Sequence, residues 1–326
     1  MNTNMPNEIL NHFRARYEFV RRTLVSEKVD DGLNDLKKQG YSGQGIDDLL
    51  VCDNVCVVPR SLNRLNIVTW NIATGDKFDE ILRYLRDLDS SIGIDILTLQ
   101  EVGINCPSKK GKSYRNVFND LCEGLECSGI YGGAMYFLDE KMNPYLHDGK
   151  LQHIGEAVLS KLPIDFGHSK LIRFPALYDW RKHIVPKSKN FINSKRVGGR
   201  IAVTAPVNIG KEILVSSVHL EDKAFHWEKA NQVKYLMREL RSCMTYNQIA
   251  AGDFNTFFGR FGLIDNEFYE NGFKRANKSI STSKSLPFRL DNVFYRNSGF
   301  DLVRFTVDKS VKYSDHYPLI AEFRKV

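Results

Sequence analysis

Residues whose side chains suit phosphate chemistry stand at the ends of short apolar runs in this chain. They are Asn71, Glu101, His219, Asp253, Asn255, Asp315 and His316. Short apolar runs bounded by turn residues predict strands. Catalytic groups are usually carried where a rigid sheet meets its loops. Each of these residue types also occurs alone in turns and on surfaces, so the prediction depends on their joint order.

Three of these residues suit a hard divalent cation. Mg²⁺ and Mn²⁺ prefer carboxylate and amide oxygens as ligands. Glu101 and Asp315 supply charge, and Asn71 supplies a neutral oxygen. A cation there would polarise a phosphoryl oxygen and offset the negative charge that develops during hydrolysis. The residue types therefore predict a Mg²⁺ or Mn²⁺ cofactor and hydrolysis of a phosphate ester.

The other residues suit the acid–base part of the same reaction. An attacking water needs a base, and either Asp253 or His316 can hold it. Asn255 and His219 can donate hydrogen bonds to phosphoryl oxygens as charge builds. A carboxylate at Asp291 would fix the tautomer of His316 and raise its basicity.

The elements that must position these residues follow from the pattern of apolar residues. Residues 9–24 show helical spacing before a Gly-rich break at 37–45, so we predict a small N-terminal helical appendage over 1–62 and a catalytic domain over 63–326. Many strands and few helices indicate an α/β body. The predicted elements are strands at 65–72, 94–102, 157–160, 249–254, 290–296, 300–308 and 318–323, a hairpin of 200–207 with 212–220, and helices at 78–88 and 224–241.

Seven motifs in a fixed order carry a resemblance to a known family. They are TWN (69–71), LQEV (99–102), GEAVLSKLPI (155–164), SSVHL (216–220), GDFNT (252–256), LDNVF (290–294) and SDHYPL (314–319). Together they resemble the endonuclease/exonuclease/phosphatase (DNase I-like) superfamily over residues 64–326. The resemblance implies a four-layer α/β sandwich, with two packed β-sheets flanked by helices and the site at one edge.

The resemblance also implies a role for each matching residue. Glu101 is then the main metal ligand, with Asn71 and Asp315 close to the ion. Asp253 activates or orients the nucleophile, and Asn255 contacts the phosphate.

For the two histidines, the resemblance implies direct contact with the phosphate. His316 contacts the scissile phosphate or acts as a base, and Asp291 orients it. His219 matches a histidine that lies against the phosphate.

Two positions depart from the family pattern. Abasic-site endonucleases carry an aspartate where this chain has Ala73, which disfavours that activity. Many members carry asparagine where this chain has Glu156. If Glu156 faces the site it adds negative charge near the phosphate, and if it faces solvent it has no such effect. Both orientations remain open at this point.

Positive charge is concentrated in three segments. Residues 109–115, 181–200 and 274–289 hold sixteen of the 46 Lys and Arg residues and no Asp or Glu, so the rest of the chain is net acidic. Such segments suit a polyanion. We therefore predict substrate binding by four residues of the middle segment, with Tyr114, Trp180 and Phe191 available to stack on bases. The four are Lys187, Lys189, Lys195 and Arg196.

These segments favour a nuclease that acts on DNA or RNA. Basic loops also suit an anionic lipid or an inositol phosphate, so a sphingomyelinase- or phosphoinositide phosphatase-like hydrolase is the alternative. A non-catalytic member of the same family is the third hypothesis. No stretch approaches the ~20 apolar residues of a membrane helix, and the first residues lack a secretory apolar core. We therefore expect no transmembrane segment, an intracellular location in cytoplasm or nucleus, and free thiols at the six cysteines.

Overall fold

The computed structural model describes most of the region that the motifs span. The described residues are 31–54, 63–107, 114–139, 141–179, 181, 195–241, 243, 247–256, 262–276, 280–284, 288–296 and 299–325. Their strands are β1 Leu50–Cys52, β2 Arg64–Asn71, β3 Ile96–Pro107, β4 Tyr114–Asn116, β5 Ser128–Leu138, β6 Leu146–His147, β7 Lys150–Leu151, β8 His153–Ser160, β9 Lys170–Arg173, β10 Lys195–Gly198, β11 Ile201–Asn208, β12 Glu212–His219, β13 Gln248–Asp253, β14 Lys274–Arg275, β15 Asp291–Arg296, β16 Phe300–Val307 and β17 Leu319–Lys325. Their longer helices are α1 Phe78–Ile92, α2 Val117–Leu125, α3 His226–Arg241 and α4 Leu263–Glu270.

Two mixed sheets form the body of the molecule. The first has the strand order β1-β5-β8-β3-β2-β17-β16, with β10 paired to β5 and β4 paired to β3. The second has the order β14-β15-β13-β12-β11-β9. In each sheet one pair of central strands is parallel, β2 with β3 and β12 with β13. Parallel strands are usually buried on both faces, and β2 and β13 are buried along almost their whole length.

Apolar side chains separate the molecule into four layers. Residues such as Ile67 of the first sheet and Val215 of the second share one core between the sheets. On the outer face of the first sheet, Trp70 packs with α1 and α2. On the outer face of the second sheet, Leu214 packs with α3 and α4. The predicted four-layer α/β sandwich is confirmed.

The predicted strands and helices of the body are present, with shifts at their ends. The strand predicted at 94–102 extends to Pro107, and the strand predicted at 157–160 begins at His153. The predicted hairpin is β11 with β12. Strand β5 and helices α2 and α4 were not predicted, because glycines at 129, 132 and 133 interrupt the first and the two helices are short.

The described part of the N-terminal segment does not consist of helix alone. Residues 31–36 are helical and continue into a π-helical turn, Lys37–Tyr41, and the buried Leu33 and Leu36 pack with strand residues of the body. Strand β1 then pairs antiparallel with the edge of the first sheet, which the sequence did not predict. The helix predicted around 9–24 lies outside the described residues. No described helix is both long enough and apolar enough to span a membrane.

Candidate active site

Three of the predicted site residues lie side by side in the second sheet. The register of β12 with β13 sets His219 opposite Asp253, and the register of β13 with β15 sets Asp253 opposite Asp291. Gly252 allows this pairing, because its φ is +148° and a Cβ there would lie 2.0 Å from the Val218 carbonyl oxygen. Adjacent strands therefore deliver an imidazole and two carboxylates to one edge of the sandwich.

The first sheet brings Asn71 to the same edge. Asn71 Nδ2 donates to Asp253 Oδ2 across the sheets (3.2 Å), and its Oδ1 accepts from the Ala73 N–H (3.1 Å). The Ser314 hydroxyl donates to the Asn71 carbonyl oxygen (2.6 Å), which ties the loop before β17 to the end of β2. Asn71 is thus a positioning element for Asp253 in addition to its expected place beside a cation.

His316 completes the group through two carboxylates. Its Nδ1 lies 2.9 Å from Asp291 Oδ2, and its Nε2 lies 3.7 Å from Asp253 Oδ2. The indole N–H of Trp70 donates to the His316 carbonyl oxygen (3.1 Å), which fixes the backbone. The predicted pairing of Asp291 with His316 is present, and it leaves Nε2 directed at the site.

Burial and these neighbours shift the protonation of the group. Burial and Asp291 raise the pKa of Asp253 to about 6, although the neighbouring His316 acts to lower it. Burial alone would lower the pKa of His316, but the negative charges of Asp291 and Asp253 raise it well above its usual value. These shifts favour the charged form of His316, and they bring the pKa of Asp253 near the pH at which a general base is most useful.

Glu101 reaches the site through an irregular point in β3. The pairing of β3 with β8 shifts register between Leu99 and Val102, and Glu101 has a left-handed backbone with φ of 52°. A bulge of this kind re-aims a side chain next to an active site, and its cost is tolerated where function requires it. Burial raises the pKa of Glu101; Arg200 lowers it, and the carboxylate of Asp315 raises it again.

The donor chemistry fits a hard divalent cation. The carboxylates of Glu101, which is partly buried, and of Asp315, which is exposed, repel each other. Together with the free lone pair of the Asn71 amide oxygen, they are the oxygen donors that Mg²⁺ and Mn²⁺ prefer. Asp253, Asp291 and His316 offer a second possibility, because their ligand atoms lie within 4.8 Å of one another. The hydrogen bond between Asp291 and His316 already uses atoms of that second group, which favours a catalytic rather than a ligating role for it.

Asn255 is held rigidly beside Asp253. Its backbone N–H donates to Asp253 Oδ1 (2.9 Å), and its Nδ2 donates to the Leu220 carbonyl oxygen (2.9 Å). Its φ of 50° is left-handed, which asparagine adopts more readily than most residues. The Lys229 ammonium, only 1% exposed, donates to the Asn255 carbonyl oxygen (2.8 Å). Sequence reasoning missed Lys229, since a lysine in a helix is ordinarily solvated.

Glu156 faces the site and not solvent. It is 1% exposed, and its Oε1 lies 3.0 Å from His219 Nδ1. The close approach of β5 and β8 at Gly155, where a Cβ would lie 1.9 Å from the Gly132 carbonyl oxygen, fixes this part of the strand. Burial raises the pKa of Glu156 well above its usual value; Arg200 opposes the rise and Glu101 adds to it. The departure from the family pattern therefore lies inside the site.

Arg200 contacts the same histidine and was not predicted as a site residue. It is 6% exposed, and its Nη1 donates to His219 Nδ1 (3.2 Å) while its Nη2 donates to Asp222 Oδ1 (3.1 Å). The same Nδ1 lies 3.0 Å from Glu156 Oε1, so the imidazole edge lies between a guanidinium and a carboxyl group. Burial and Arg200 hold the pKa of His219 well below its usual value, which keeps the ring neutral. Nε2 of this neutral ring lies 3.6 Å from Asp253 Oδ2.

The basic segments are partly internal. Of the four predicted substrate-binding residues, Lys187 and Lys189 lie outside the described residues, as do Trp180 and Phe191. Lys195 and Arg196 lie in β10, at the edge of the first sheet.

Arg196 is close enough to Glu101 to lower its pKa. In the last basic segment Arg275 and Arg289 pair with Asp265 and so brace the fold. Lys284 lies beside the site, because its backbone N–H donates to the Asp315 carbonyl oxygen (2.9 Å).

A family model and a set of solved structures match this chain. The model of the Endonuclease/Exonuclease/phosphatase family matches residues 68–316, which is most of the chain. The chain belongs to this family. Members of the family are hydrolases in general, which agrees with the chemistry of the residues above. Comparison with curated protein sequences gives no match.

Solved structures of the family share the fold at low sequence identity. An endonuclease/exonuclease/phosphatase from Beutenbergia cavernae is 17% identical, with a TM-score of 0.56 over 81% of this chain and 72% of that one. The human Nocturnin catalytic domain is 17% identical, with a TM-score of 0.53 over 87% and 98%. D. rerio TDP2 complexed with a single strand DNA product is 16% identical, with a TM-score of 0.53 over 81% and 100%.

Proposed function

We propose that this protein is a divalent-metal-dependent phosphodiesterase that cleaves DNA or RNA. The observation that carries the proposal is the line of Asp291, His316 and Asp253 at the edge of the sandwich, with His316 2.9 Å from one carboxylate and 3.7 Å from the other. A cationic imidazole and a titrating carboxylate held this close suit attack on a phosphate ester.

The residues around this line have complementary roles in the proposal. Asp253 orients the attacking water and accepts its proton, which its pKa of about 6 favours near neutral pH. As the new P–O bond forms and the ester P–O bond breaks, negative charge grows on the phosphoryl oxygens. His316 and His219 stabilise that charge, and Asn255 contacts the phosphate.

Glu101, Asp315 and Asn71 are the residues that would hold Mg²⁺ or Mn²⁺ in this scheme. A divalent cation bound there would polarise a phosphoryl oxygen of the substrate. Glu101 and Asp315 fit this role because both are carboxylates and their charges are close enough to interact. Arg200 and Arg196 lower the pKa of Glu101 and so favour its ionised form.

Nucleic acid is the substrate class that the sequence and the relatives favour. Lys195 and Arg196 lie on the edge strand, and Lys187 and Lys189 precede them in the chain, so that together they would neutralise backbone phosphates. TDP2, which shares the fold, has been solved with a single strand DNA product.

An activity panel tests the proposal. We expect Mg²⁺-dependent hydrolysis of single- or double-stranded DNA or of RNA, set beside sphingomyelin and phosphoinositides under the same conditions. Hydrolysis of a lipid or an inositol phosphate in place of every nucleic acid would overturn the substrate assignment. The absence of metal-dependent turnover on all of them would overturn the activity.

A further inference from the structure

Two exposed aromatic rings lie where β12 leads into α3. Phe225 is 60% exposed and Trp227 is 37% exposed. Their ring centroids are 4.5 Å apart and their planes differ by 6°, so the rings are stacked face to face. This pair therefore places aromatic ring surface in contact with solvent.

Hydrogen bonds fix the backbone that carries this aromatic pair. The Phe225 N–H donates to Glu228 Oε2 (2.8 Å), and Glu228 is buried. The Phe225 carbonyl oxygen accepts from the backbone N–H groups of Glu228 (3.0 Å) and Lys229 (3.1 Å). Because the first turn of α3 is held in this way, little backbone freedom would be lost when a ligand binds to the rings.

The same loop is tied to the candidate active site at both of its ends. Before the aromatic pair, the Leu220 carbonyl oxygen accepts from Asn255 Nδ2 (2.9 Å). After it, the Lys229 ammonium donates to the Asn255 carbonyl oxygen (2.8 Å). Since the backbone of Lys229 also bonds to Phe225, one helical turn connects the aromatic pair to a residue that contacts Asp253.

We propose that Phe225 and Trp227 form a platform on which one base of a single-stranded polynucleotide stacks while the adjoining phosphate lies at the site. This inference rests on the proposed function. Aromatic faces bind bases of any sequence, because every base has a π-face.

Alanine variants at the two positions, measured against modified oligonucleotides, test the platform. Phe225→Ala and Trp227→Ala should each weaken binding of a single-stranded oligodeoxynucleotide by about 5- to 150-fold, measured in EDTA so that no turnover occurs. The matched control is Tyr269→Ala, which removes a 47% exposed aromatic ring from α4 and should change nothing. In a series of oligonucleotides that each lack one base, the effect of Phe225→Ala should vanish at one position only.

Each result separates the platform from the proposed function. If the unmodified protein binds and cleaves oligonucleotides but both variants behave like Tyr269→Ala, the platform is refuted and the nuclease activity stands. A loss that is the same at every abasic position also refutes it. Lost binding to phosphatidylserine vesicles with unchanged oligonucleotide binding would assign the rings to a membrane. If the unmodified protein neither binds nor cleaves any oligonucleotide, the proposed function itself fails.

Discussion

Replacement of Arg200 by methionine should destabilise the protein strongly. Arg200 is 6% exposed, and its guanidinium donates to Asp222 Oδ1 (3.1 Å) and lies 3.9 Å from Glu221 Oε1. It also opposes the rise in the pKa of Glu156 that burial causes. Methionine has a similar length and packs well, so the variant removes the charge more than the volume.

The size of the effect follows from the carboxylates that are left behind. Loss of one partner from a buried ion pair costs about 3–5 kcal/mol, because the other charge remains buried and uncompensated. Glu221 and Glu156 are both almost fully buried. We therefore expect the Arg200→Met free energy of unfolding to fall by about 3–5 kcal/mol near neutral pH.

Acidic conditions should reduce this deficit. The folded-state pKa of Glu156 is raised, so its ionisation costs stability as pH rises and its protonation at low pH removes that cost. Without Arg200 the pKa of Glu156 rises further, so the folded variant binds more protons than the folded unmodified protein and its stability falls more steeply as pH rises. The difference between variant and unmodified protein should therefore be smaller at about pH 5 than near pH 7.

Urea unfolding of the metal-free protein at the two pH values measures both effects. Arg238→Met is the control, because Arg238 forms an exposed pair with Glu239 (3.2 Å) and should matter by about 1 kcal/mol or less. A deficit for Arg200→Met no larger than that of the control would refute the reasoning about buried charge. A deficit that grows on acidification would refute the assignment to Glu156.

Further predictions concern the catalytic groups and the two basic residues of β10. Since Asp291 orients His316, Asp291→Asn and His316→Ala should be strongly non-additive in kcat, whereas a double variant worse by the product of both losses would mean independent action. Since the pKa of Asp253 is about 6, kcat/KM should rise as pH increases through about 6, and a flat profile there would remove it as the base. The double variant Lys195→Gln, Arg196→Gln should flatten the slope of log DNA affinity against log salt by about one unit for each lost phosphate contact. An unchanged slope would exclude both residues from binding the DNA backbone.

The sequence predicted the parts of the site that depend on strand ends. Asn71 and Asp253 each close an apolar run, and the order of the motifs was sufficient to place them with His316 in one site. Distances between these residues were beyond the sequence, since the hydrogen bond from Trp70 to His316 joins positions 246 residues apart. That contact follows from the pairing of β17 with β2 in the first sheet, a long-range pairing that no local pattern encodes.

Glu156, Arg200 and Lys229 could not be placed in the site from the sequence, and the physical reason is the same for all three. Strand β8 is buried on both faces, so apolar alternation carries no information on the direction of Glu156. Arg200 and Lys229 are charged residues in segments that ordinarily face water, and only the tertiary structure shows that carboxylates and a carbonyl oxygen receive them inside. Buried charge compensated by distant partners is therefore what the sequence could not reveal.

Metal-dependent turnover by Glu101→Gln against the unmodified protein tests the central claim most directly. The unmodified protein should hydrolyse a nucleic acid phosphodiester in Mg²⁺, lose this activity in EDTA, and recover it when Mg²⁺ is added back. Glu101→Gln keeps the side-chain shape but removes the charge, so it should fold normally, bind Mg²⁺ more weakly in calorimetric titration, and lose most of the turnover. Full activity of Glu101→Gln, or hydrolysis by the unmodified protein that EDTA does not affect, would contradict the account.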